Sequence, residues 1–179
     1  QTAAAVQMFK TTGSEMSSAF TSLGANATAS GIALNEQMAV LGTLQATMSG
    51  SEAGTKYRQF ILNIAKAQEK LGLQFTDSQG RILPMVKILN TLRGQYGDTF
   101  DELEAYELKQ AFGSAEAVGL IKLLMGNTDG LATSITKLGR IQGMKNAEDM
   151  AKAMIDPWEK FQAVTEAVRI GFGNALLPT

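Results

Sequence analysis

Five carboxylates, Asp98, Asp101, Glu102, Glu104 and Glu107, crowd into one short stretch and form the only dense acidic group of the chain. Hydrolysis of a glycoside needs two carboxylates in different environments facing each other across a cleft. Acids strung along a helix start instead favour the macrodipole and cap its unpaired N–H groups, so a solvated helix start explains these five better. Glu52, in Gly50-Ser51-Glu52-Ala53-Gly54, has the residue type of a muramidase acid, but it lies in a first helical turn just after a cap. Asp77-Ser78-Gln79-Gly80 lacks the alternating acids and closing glutamate of a calcium loop and reads as a turn. The chain has no histidine and no cysteine, which removes thiolate and imidazole metal ligands, disulfides, cysteine nucleophiles and Ser-His-Asp triads. No catalytic, cofactor-binding or metal residue is expected, and the chain reads as no enzyme.

Those residues sit in a helical pattern. Hydrophobic residues make up 45% of the 179 positions, aromatics only 7%, and the nine methionines act as adaptable filler, so the composition specifies a folded but soft core. The three prolines and eighteen glycines fall mostly between periodic segments, which is punctuation for short helices. Sixteen basic against seventeen acidic residues leave a net charge of -1. With no basic stripe, no specific nucleic-acid partner is expected. No apolar stretch approaches the roughly 18 to 20 residues that span a bilayer, so this fragment is not expected to contact membrane.

The pattern predicts an all-α, compact domain of about seven short helices. Up to about Ser30, Met8, Phe9, Met16, Phe20 and Leu23 give a weak apolar stripe. Leu34, Met38, Leu41, Leu44 and Met48 follow at helical spacing, and Ser49-Gly50-Ser51 stops that helix and starts the next. Gly50 is expected to take positive φ and Gly54 to admit a neighbouring helix. The next helix carries Tyr57, Phe60, Ile61, Ile64 and Leu71 on one face and ends at a left-handed Gly72. Leu73 to Leu83 can form one small β-hairpin around Asp77–Gly80 before Pro84 opens a helix. Thr99 with Glu102 has capping-box spacing, and Gly113-Ser114 breaks and restarts the chain. Ala117 to Met125 is apolar almost all round and is expected in the middle of the core. Asp156-Pro157 signals a long final helix, with Trp158, Phe161, Val164, Val168 and Phe172 at helical spacing, that can project as an arm.

Three stretches, in order, resemble the core region of phage tail tape measure proteins. The first runs from Ala39-Val40-Leu41-Gly42 through Met48-Ser49-Gly50-Ser51-Glu52-Ala53-Gly54-Thr55 to Arg58 and Phe60-Ile61-Leu62; the family has an alanine-rich helix, a glycine turn, "seAGt" and a helix with an early arginine. Asp77 to Leu89, with Gly80 and Pro84, is similar to the family's polar turn and following helix, and Ala111-Phe112-Gly113-Ser114-Ala115-Glu116-Ala117 is similar to its "ifG.eA" junction. The match covers roughly residues 34 to 125, is weak before Ser30, and continues less distinctively over Asp156 to Pro178.

The resemblance implies a structural protein of the tail tube lumen in the virion, made in the host cytoplasm, that sets tail length and is expelled before DNA passes. Its partners would be tail tube, tail tip or baseplate and tail assembly chaperone proteins. Apart from the resemblance, Trp158, Phe161, Val168 and Phe172 read as packing residues that on a projecting arm would become contacts with other copies of the chain. Expected organisation is a helical lead-in over 1–30, a helical core over 31–143 and a C-terminal arm over 144–179. Starting at Gln1 and stopping while an apolar pattern still runs, the chain reads as an excerpt of a longer protein. Two other readings stay open: a helical transglycosylase using Glu52 or Glu102 as acid, and a secreted helical adaptor.

Overall fold

The computed structural model describes residues 2–140. The Asp156-Pro157 helix start, the projecting arm and the contacts expected at Trp158, Phe161, Val168 and Phe172 lie outside the described residues. The chain divides into two units, residues 1–141 and 142–179, and the described residues fall in the first.

Among the described residues the structure is all-α, with nine helices: α1 (Thr2–Phe9), α2 (Gly13–Leu23), α3 (Asn26–Ala29), α4 (Leu34–Leu44), α5 (Gly50–Leu71), α6 (Met85–Tyr96), α7 (Glu102–Phe112), α8 (Ala115–Met125) and α9 (Thr128–Arg140). The number exceeds the expected seven because the lead-in divides into three. Lys10 at φ 51 and Gly24 at φ 67 place left-handed backbone after α1 and α2, which an α-helix cannot continue through. The expected hairpin is reduced to one antiparallel bridge, Thr76 with Ile82, and no strand forms among the described residues. Nor is any described helix long and apolar enough to cross a membrane.

The longest helix, α5, is the spine. Ala53, Tyr57, Phe60, Ile61, Ile64 and Ala67 recur at threes and fours and are buried, while Arg58, Leu62 and Glu69 face out. This stripe meets α2, α3, α4, α7 and α8. Helix α8, expected at the middle, touches α4, α5, α6, α7 and α9, but Lys122 and Leu123 reach solvent. The middle is therefore shared by two helices. Met16, Ala19, Leu23 and Ala27 of the lead-in belong to the same hydrophobic cluster as α5.

Helix ends follow local chemistry. Ser49 caps α5 by accepting from the Glu52 N–H at 3.3 Å, and Gly72 ends it in the left-handed conformation, φ 65. The capping box of α7 is Asp101 with Glu104, not Thr99 with Glu102. The Asp101 carboxylate accepts from the Glu104 N–H at 2.8 Å and Glu104 accepts from the Asp101 N–H at 2.9 Å. Phe100 packs edge-on against Tyr96 at 5.7 Å, and the backbone is extended at Asp101, φ -74 and ψ -179.

Candidate functional site

The first family motif forms a seam between α2 and α5. Gly50 has ordinary helical φ rather than the expected positive value. Its missing side chain is needed for another reason: a Cβ there would lie 1.9 Å from the Glu15 carbonyl oxygen. One turn on, a Cβ at Gly54 would lie 2.1 Å from the Ala19 carbonyl oxygen and 2.8 Å from the Ser22 Cβ. Glu15 faces Gly50 and Ala19 faces Gly54, so the two helices run in the same sense along backbone-close contact. Two polar contacts tie the seam. The Gly50 N–H donates to the Glu15 carboxylate, giving α5 an acidic cap from another helix, and the Ser22 and Ser51 hydroxyls meet at 3.0 Å. Ala53 is buried, whereas Glu52 is exposed and pairs with Lys56 at 3.4 Å.

The second and third motifs converge on the far half of α5. In the turn, the Asp77 carboxylate accepts from the Gln79 N–H at 2.8 Å, the Arg81 N–H at 2.9 Å and the Arg81 side chain at 2.8 Å. Those donors, the Arg81 N–H foremost, hold its pKa below the ordinary value. Gly80, at φ 77, closes the turn, and Gln68 of α5 accepts from the Phe75 and Thr76 N–H groups at 2.7 and 2.9 Å. Phe75 then stacks on Phe112, which stacks on Phe60 of α5 at 5.4 Å between ring centroids. Gly113 ends α7 at φ 64 and Ser114 caps α8. The junction thus reverses the chain while its aromatic stays in the core.

Pro84 precedes α6, whose first N–H groups receive no local side-chain cap. The acceptor comes from α4: Glu36, only 8% exposed, takes the Met85 N–H at 2.9 Å. Burial raises the Glu36 pKa, with the Met85 bond pulling the other way. The fully buried Tyr57 is pushed well above its ordinary value by burial first and then by the Glu36 charge. Glu36 was missed in the sequence, where one acid on an apolar helix carries no signal of its own. The usable clue was a proline-led helix lacking a serine, threonine or aspartate before it. Arg93 was missed for the same reason; it bonds the Met125 carbonyl at 3.0 Å and the Thr128 hydroxyl at 3.2 Å, joining α6 to the α8–α9 corner.

None of the expected acids is set up as a buried proton donor. Glu52 and Glu116 line one shallow depression with Ser49, Ser51 and Lys56, but Glu116 has its pKa lowered by the Ser114 hydroxyl first, with smaller help from Lys56 and Lys109. A general acid needs the opposite shift. Glu102 stands exposed at the start of α7. Among the described residues, no three His, Cys, Asp or Glu side chains converge as a metal site.

What the geometry builds is an all-helical module whose quoted motifs serve backbone turns and close helix contact. Comparison with known proteins gives it a family. The model of the family described as phage-related minor tail protein matches residues 1–113, more than half of the 179, and the chain belongs to that family. It is also similar to the tape measure protein of Pneumococcus phage Dp-1, 26% identical over 151 residues, covering 80% of this chain and 13% of that protein. Both findings bear out the tape measure resemblance and place the chain among phage tail proteins. The family match begins in the lead-in, where the sequence resemblance was weak. No solved structure matches.

Proposed function

We propose that this chain is a segment of a tail tape measure protein that lies in the lumen of the tail tube, sets tail length during assembly and leaves at DNA ejection. The observation that carries the reading is the similarity to a tape measure protein along 80% of the chain, coinciding with the family match over 1–113. The reading takes residues 31–143 as a helical core, 1–30 as its lead-in and 144–179 as an arm toward the rest of a longer protein. Partners would be tail tube, tail tip or baseplate and tail assembly chaperone proteins, and other copies of itself, after synthesis in the host cytoplasm.

A non-enzymatic role fits the carboxylates: Asp101 and Glu104 cap α7, Glu52 pairs with Lys56 and Asp98 with Arg93. The family motif residues act through backbone and packing: Gly50, Ser51 and Gly54 in the seam, Ala53 in the buried core, Gly80 and Pro84 at the turn, Phe112 and Gly113 at the junction. Residues 156–172, with Trp158, Phe161, Val168 and Phe172, remain proposed contacts between copies. Mass spectrometry of purified tails before and after triggered ejection tests the location. The chain is expected in intact tails and depleted from ejected ones; absence from intact tails, or full retention after ejection, would defeat the proposal.

A further inference from the structure

The two most exposed large apolar side chains among the described residues, Leu103 at 76% and Tyr106 at 59%, both stand on α7. Tyr106 borders a groove between α7 and α8. Its α7 wall is Glu102, Ala105, Tyr106 and Lys109, the i, i+3, i+4, i+7 stripe of one helix face. Its α8 wall is Ala115, Val118, Gly119 and Lys122 at the same spacing. Small residues therefore floor the groove, and the only neighbour a Cβ at Gly119 would meet is the Lys56 amine at 3.9 Å. Another helix can approach closely here.

The α7 stripe is complementary to itself when reversed. Turned end for end about the point between Ala105 and Tyr106, Glu102 falls opposite Lys109, and the large Tyr106 falls opposite the small Ala105. An antiparallel pair of α7 helices would thus place two opposite-charge pairs at its ends and two knob-and-hole contacts at its centre. A two-fold interface requires this kind of self-complementarity.

We propose that the α7–α8 hairpin is a two-fold docking face for a second copy of this chain. The α7 helices lie antiparallel, and Tyr106 of each copy covers Ala115, Val118 and Gly119 of the other. Two hairpins joined in this way make a four-helix bundle. The face is distinct from residues 156–172, and pairing through it is independent of whether the chain sets tail length.

Sedimentation equilibrium of the full 179-residue chain, run over a wide concentration range, tests the pairing. The wild type is expected to dimerise. Tyr106→Asp, at an exposed position, should give monomer with unchanged helical circular dichroism. Glu102→Lys and Lys109→Glu should each weaken the dimer by about tenfold through like-charge opposition, and the double reversal should restore it to within about threefold. A wild type that stays monomeric would overturn the proposal. So would a dimer indifferent to Tyr106→Asp, or single reversals that weaken pairing without recovery in the double variant.

Discussion

Replacing Gly54 with alanine separates packing from helix propensity. In a helix interior alanine is better than glycine by about 1 kcal/mol, so propensity alone makes Gly54→Ala stabilising. The new Cβ, however, would lie 2.1 Å from the Ala19 carbonyl oxygen, and a backbone atom cannot rotate away. Helix α2 must withdraw by roughly 1 Å to restore van der Waals distance, loosening Met16, Ala19 and Leu23 from the shared core. Overpacking of this kind costs about 1 to 3 kcal/mol, and loosening of those buried residues puts it at the upper end. The expected net loss is about 2 kcal/mol, or roughly 6 °C in Tm for a domain of this size. Gly94→Ala is the matched control: Gly94 lies inside α6 with nothing within 4 Å of a built Cβ, so it should gain up to about 1 kcal/mol. Urea unfolding followed by circular dichroism measures both. A Gly54→Ala protein as stable as wild type, or a Gly94→Ala protein equally weakened, would refute the seam as the reason for glycine.

Glu36→Gln keeps an acceptor for the Met85 N–H and removes a buried charge. Since burial raises the Glu36 pKa above its ordinary 4.5, the carboxyl's contribution is intact below 4.5 and is lost as pH rises through the raised value. The variant should therefore gain on wild type across that rise in a pH series of urea melts, while Glu36→Ala, which orphans a buried N–H, should lose about 1 to 3 kcal/mol. Tyr96 is pushed up to about 12 by partial burial and then by Glu107 and Glu104. Its contribution to stability holds below pH 10 and falls as pH rises toward 12; ultraviolet titration should show a phenolate step near there that Tyr96→Phe removes. Phe112→Ala opens the stack on Phe60 and Phe75 and should cost about 3 to 5 kcal/mol in the same melts.

The parts legible in the sequence were those set by neighbours along the chain. The stripe of α5, its left-handed Gly72, the Asp77–Gly80 turn and the Gly113-Ser114 restart all follow from local spacing, and all are present. The capping box was displaced by two residues because Thr99/Glu102 and Asp101/Glu104 satisfy the same spacing rule, and spacing alone does not say which residue takes the extended cap conformation that Asp101 has. Helices α1 to α3 were blurred because their contacts rely on small residues, Ala5, Ala19 and Ala27, and on partner glycines, which add little to a hydrophobic stripe. Phe9, for example, rests where Gly42 has no side chain. Glu36 and Arg93 bond partners 49 and 32 residues away, and no periodicity encodes that distance. The fold was thus easier to read than the polar ties that hold its corners.

The most direct test of length control is tail length by electron microscopy, in phage carrying in-frame deletions and duplications in the intact gene, inside and outside this segment. A helical ruler predicts tails shorter or longer by about 1.5 Å for each residue removed or added. Tails of unchanged length throughout the series would contradict it.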